Sequence, residues 1–257
     1  MSADIVIYRR MRGVFWGLLV IGLIGAPLLL ALAFSVPSRL ELYSADAIEQ
    51  VGSAETVFSG AYGVIFAIAS LAALVLGATA GSVDLQRGVV RDLVLAGRPR
   101  WRIVLGRLAG AFALLVAAVT LSLALVLLVA VTLSPDRTID DWERIWRSIA
   151  EIGVTVAFTL PLAAGFALLI GSRGPAIVVF FLTWLLVDNV LFAIPKLGEW
   201  WEQVSLSIAA GQVLSWVRNG EADQMIDRGV GAAALVVVGW MVIPLVAGIV
   251  RLSRRDL

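Results

Sequence analysis

The chain has 257 residues, 60% of them hydrophobic and only 15% charged, with a mean hydropathy of +0.96. Soluble domains carry about a quarter charged residues, so an ordinary water-soluble enzyme is excluded, and a net charge of +1 gives no electrostatic reason to expect a nucleic-acid partner. The chain contains neither Cys nor His, which removes disulfides, thiol nucleophiles, Cys/His zinc sites and Ser-His or Cys-His catalysis.

An N-terminal arm, Ser2 to Arg12, places Ile5, Val6, Ile7 and Tyr8 ahead of Arg9, Arg10 and Arg12, a pattern suited to lying along the inner leaflet. The first apolar run, Val14 to Val36, is longer than a signal-peptide core and has no small-x-small cleavage site, so it reads as a membrane helix. A second run covers Val57 to Val83. After it, Asp84, Arg87, Arg91, Asp92 and Arg98 fall on one side of a helical wheel, and Leu85, Val89, Val90, Leu93 and Val94 on the other, with Gln86 the misfit. This pattern predicts an amphipathic helix continuing from the second span and stopping near Gly97 and Pro99. A short turn, Arg100 to Arg107, then leads into the third run, Leu108 to Leu133. Two roles compete for this basic segment: a positive-inside anchor with snorkelling arginines, and a docking surface for a cytoplasmic partner.

The fourth run, Ile152 to Gly171, and the fifth, Ala176 to Ile194, are separated by Ser172, Arg173, Gly174 and Pro175, which predicts a tight hairpin. Within the expected spans the one ionisable side chain is Asp188. A carboxylate near a helix centre costs about 2.5 to 3.5 kcal/mol on insertion scales. Asp188 is therefore a candidate for a substrate path, set against a structural hydrogen bond with Asn189 or another helix. The stretch from Pro195 to Arg228 carries Trp200, Trp201 and Trp216 around an apolar core, Val204 to Val213, too short to cross. It reads either as an interfacial or re-entrant helix with indoles at headgroup level, or as a surface loop. The sixth run is Gly229 to Val250.

Each run approaches or exceeds the roughly 20 residues needed to cross a hydrocarbon core, and each must be helical because lipid offers no partner to an unpaired backbone group. The expected fold is thus an all-α integral membrane protein: six transmembrane helices in one domain over residues 1–257, with an amphipathic cytoplasmic helix between the second and third spans. The arm, the segment Asp84 to Arg107, the Arg173 turn and the tail after Val250 together hold 13 Arg and 4 acids. The alternate segments, Pro37 to Thr56, Ser134 to Glu151 and Pro195 to Arg228, hold 7 basic residues and 14 acids. The positive-inside rule then puts both termini in the cytoplasm.

Catalysis by this chain is disfavoured by its residue inventory. One intramembrane carboxylate is too few for the relays of an ion-driven carrier or for a two-aspartate intramembrane protease. A P-loop needs Gly-Lys followed by Ser or Thr, whereas the single lysine, Lys196, stands between Pro195 and Leu197 on the expected outer side. No cofactor is expected on this chain.

The stretch from Asp84 through Gly88, Arg91-Asp92-Leu93-Val94, Gly97-Arg98, Arg100-Trp101 and Gly106-Arg107 resembles the corresponding loop of ABC-2 type permeases, the membrane subunits of bacterial ABC exporters. In that family an acidic residue precedes a Gly, an amphipathic helix follows, and a basic-aromatic pair leads to a Gly-Lys before the third span. Here Asp84, Gly88, the Val89 to Leu95 run, Arg100-Trp101 and Gly106-Arg107 hold those places. Arg87 departs from the pattern by standing where an acid often precedes the Gly, and Pro99 is displaced by about two residues.

The resemblance implies a permease in the bacterial cytoplasmic membrane that passes a hydrophobic or amphipathic substrate. It also implies a second permease chain, identical or homologous, and two separate P-loop ATPase subunits that carry ATP and magnesium. The implied coupling residues are Asp84, Arg87, Gly88, Arg91, Asp92, Arg98 and Arg100. The alternatives are a non-transporting membrane scaffold, immunity or sensor protein that binds a cytoplasmic partner through the same loop, and a secondary carrier.

Overall fold

A computed structural model of the chain describes residues 25, 54–87, 100–133, 141–183, 190–191, 194–221 and 229–254. The described residues are almost wholly helical and include no strand. The helices are α1 (Ala54–Arg87), α2 (Arg100–Leu133), α3 (Trp142–Ile170), α4 (Arg173–Leu182), α5 (Pro195–Val204), α6 (Leu206–Asn219) and α7 (Val230–Arg254).

Four of them are long and apolar enough to cross a membrane: Phe58–Ser82 in α1, Trp101–Thr132 in α2, Trp142–Ile170 in α3, and α7. In α7 the buried side, with Ala233, Val237, Pro244 and Leu252, is apolar. So is the exposed side, with Leu235, Val238, Val242, Ile243 and Val246. A helix hydrophobic all round has lipid, not water, as its natural solvent. The chain therefore has the character of a multi-pass helical membrane protein.

These four helices are the second, third, fourth and sixth expected spans, with different ends. α2 begins at Arg100, so the separate turn expected over Arg100 to Arg107 is instead the first two turns of the third span. No strong breaker lies between Arg100 and Leu108, and Pro99 stands just before the first helical residue. α3 begins ten residues before the expected Ile152, because the charged stretch before it is itself helical. Asp141 Oδ1 accepts the Arg144 backbone N–H at 2.9 Å, capping the first turn, and Arg147 Nε donates to Glu143 Oε1 at 3.0 Å one turn apart. The first expected span falls outside the described residues except for residue 25, and the fifth is described mainly as the ten residues of α4.

The turn between the fourth and fifth expected spans is as short as anticipated. α3 ends at Ile170, and Gly171 takes φ of 85°, a left-handed conformation that glycine enters without a Cβ penalty. Ser172 is extended, and α4 starts at Arg173. Pro175 sits in the first turn, where a missing N–H is tolerated.

The chain divides into two compact units, residues 1–72 with 113–148 and residues 73–112 with 149–257. In the first, Phe58, Ala61, Ile65 and Ala69 form a buried stripe on α1, alongside the ring series Phe58, Tyr62 and Phe66 with centroids 6.3 and 6.0 Å apart. Leu123, Val126 and Ala130 of α2 and Ile145 of α3 are also buried there.

In the second unit α3 is the central helix. Gly77 and Gly81 of α1 lie against the backbone of α3, so close that a Cβ on either would overlap the carbonyl oxygen of Leu160 or of Ala164. On a neighbouring side of α3, Gly165 meets Pro244 and Leu245 of α7, and Gly248 of α7 meets Leu168. Small residues that let backbones approach are the usual way to gain packing between helices when lipid removes the hydrophobic drive. Phe158 and Leu162 of α3 join Leu74, Phe180, Leu206, Ala209, Ala210, Ala233 and Val237 in one buried cluster drawn from five helices.

Candidate functional site

The residues singled out for coupling do not come together as a site among the described residues. α1 continues past its apolar stretch to Arg87, so Asp84 and Arg87 lie on its last turn, as expected for an amphipathic continuation of the second span. Gly88, Arg91, Asp92 and Arg98 lie outside the described residues, as does Asp188. Arg100 opens α2. Beside it, the guanidinium of Arg102 stands 5.2 Å from the ring centre of the half-exposed Trp101, within cation–π range. Arg107, assigned to the cytoplasmic segment by sequence, is buried at 5% exposure.

What the second unit does assemble is an ion pair between segments 67 residues apart. Glu151 of α3 is 1% exposed, and Arg218 near the end of α6 is 51% exposed. Arg218 Nε donates to Glu151 Oε2 at 2.7 Å, and its Nη2 donates to Glu151 Oε1. Two parallel N–H···O bonds from one planar guanidinium are the strong geometry for this pair. Glu151 belongs to a polar stripe on α3 with Ser148, Thr155 and Thr159, all buried. Ser148 Oγ donates to the Arg144 carbonyl at 2.9 Å and Thr155 Oγ1 to that of Glu151 at 2.8 Å, so these hydroxyls are satisfied within their own helix. Asp188 is thus not alone: Glu151 and Arg107 are ionisable groups buried on the long apolar helices.

The Pro195 to Arg228 stretch, expected as an interfacial or re-entrant helix or a loop, is helical as α5 and α6, broken at Ser205. Ser205 has φ −62° and ψ 132° and is fully buried. The break leaves the Val204 carbonyl free to accept Trp240 Nε1–H of α7 at 2.7 Å. Trp201 meets Trp240 edge-on, with centroids 6.3 Å apart and planes at 86°. The two indoles, with Phe166, Phe180, Leu162 and Leu206, line a small cleft with space for about one water. Trp201 is nearly buried, whereas Trp200 and Trp216 are exposed as headgroup-level indoles would be.

Glu151 had a sequence signal that hydropathy overlooks: Ser148, Glu151, Thr155 and Thr159 recur at three- and four-residue spacing on a helix that is otherwise apolar. Arg218 had none, since nothing local in the sequence connects it to Glu151. Among the described residues no group of three His, Cys, Asp or Glu gathers that could hold a metal ion. No family model, no curated protein and no solved structure matches the chain.

Proposed function

We propose that the chain is an ABC-2 type permease, the membrane subunit of an ATP-driven bacterial exporter, with six transmembrane helices and both termini in the cytoplasm. The observation that carries this reading is the segment from Asp84 to Arg107, whose residues resemble the family's coupling loop and which joins two long apolar helices. The charged end of α1 and the Arg-Trp-Arg opening of α2 suit a segment that leaves the bilayer, presents basic residues to the cytoplasm and returns. In this reading two permease chains form the pathway, and two P-loop ATPase subunits beneath them supply the energy. The Asp84 to Arg98 face docks in an ATPase cleft, so that nucleotide-driven closure tilts the spans. The ion pair between Glu151 and Arg218 adds support for the topology, because it joins two segments that the charge count assigns to the same outer face.

The test is co-purification with the products of neighbouring genes, followed by an ATPase assay with candidate hydrophobic cargoes. A P-loop ATPase should accompany the chain and respond to cargo, and the isolated chain should hydrolyse no ATP. Hydrolysis by the isolated chain, or a complex that lacks any ATPase, overturns the proposal.

A further inference from the structure

α6 is held unequally at its two ends. At the Ser205 end, Leu206, Ala209, Ala210 and Gln212 are buried, and the Trp240 bond to the Val204 carbonyl lies beside the Trp201 ring. After Gln212 no residue of α6 is buried. About 20 Å further along the helix, Arg218 reaches back to Glu151 from a half-exposed position. The helix then stops at Gly220, whose φ of 79° closes it through a bond from its N–H to the Trp216 carbonyl at 2.8 Å.

We infer that the C-terminal half of α6 is a lid hinged at the Ser205 break, and that the Arg218–Glu151 ion pair is the latch that holds it closed on α3. The anchored end is apolar and aromatic, whereas the free end is charged and in contact with solvent. Opening the free end hydrates both ions as their mutual attraction is lost, and these two effects nearly offset each other for a buried pair. The closed and open arrangements therefore lie close enough in free energy for one charge to decide between them. Burial at the hinge end keeps Leu206 to Ala210 in place while residues 212–219 move. This device does not depend on the transport reading, and its readout is local opening rather than export.

The experiment is amide hydrogen exchange on the purified full chain in lipid nanodiscs, comparing the parent with Glu151→Gln, Arg218→Gln and Trp240→Phe. The two latch variants should speed exchange over residues 212–219 by roughly tenfold or more, with residues 209–211 and the 160–168 stretch of α3 at parental rates. Parental exchange over 212–219 in Arg218→Gln overturns the latch. So does a loss of protection spread through α3 as well, which would make the pair a general support of the unit. Arg218 is half exposed, so its variant keeps the test decisive even where Glu151→Gln fails to fold. Trp240→Phe should loosen the residues around Ser205 and leave 212–219 unchanged. If it frees 212–219 as fully as Arg218→Gln, the hinge is misplaced and the proposal falls.

Discussion

A methyl group added at Gly81 would overlap the carbonyl oxygen of Ala164 and stand 3.0 Å from the Ala167 Cβ. At Gly77 the same holds against Leu160 and Ala163. The obstacle is backbone rather than the tip of a flexible side chain, so the two helices must separate to make room. Overpacking of this kind costs about 1 to 3 kcal/mol. Gly77→Ala and Gly81→Ala should each lower the thermal denaturation midpoint of the detergent-solubilised protein. Gly239→Ala on α7 meets nothing within 4 Å and should leave the midpoint unchanged or raise it slightly, since Ala is favoured over Gly in a helix by up to about 1 kcal/mol. A parental midpoint for Gly81→Ala would show that α1 and α3 do not approach so closely. The glycines four apart, Gly77 and Gly81, were visible in the sequence as a small-residue motif, but their partner helix was not. Any apolar helix presents a face that could receive them, and only packing selects α3.

The helices extend beyond what hydropathy marks. α1 has 34 residues, about 51 Å of helix, against a hydrocarbon core of about 30 Å. Its excess at the Arg87 end is where the proposed docking face begins. Reversing the charge at Arg87 and Arg91 should weaken partner binding without disturbing insertion. A contact to a charged group is worth about 1.5 to 3 kcal/mol, so the pair should lower ATPase affinity by about two orders of magnitude or more, and export should fall with it. Reversal at Arg144, an exposed residue in the first turn of α3, is the control and should leave binding intact. A double variant that inserts, assembles and exports like the parent would reduce these arginines to positive-inside anchors. The early start of α3 carries the same physical lesson as the long α1. A hydropathy window ends where charges begin, whereas a helix ends where its backbone bonds do, and Asp141 and the Glu143–Arg147 pair sustain those bonds through a polar stretch.

For the whole molecule, the proposed topology can be tested directly because the chain has no cysteine of its own. Single cysteines at Ser2, Gly97 and Ser253 should resist a membrane-impermeant thiol reagent in intact cells, and one at Ser44 should react. Labelling of the first three overturns the orientation. The apolar character, the helical class, the positions of the four long spans and the short turn at Gly171 were all legible in the residues themselves. Each depends on a local quantity: the length of an apolar run, the placement of glycine and proline, or the bias of arginine between alternate segments. Tertiary structure alone decided that α3 packs between α1 and α7, that the stretch after Pro195 breaks at Ser205, and that Arg218 meets Glu151. Those outcomes turn on which small residue meets which backbone and which charge is brought beside a buried carboxylate. Such choices are made by the free energy of packing between distant segments, which no window along the chain contains.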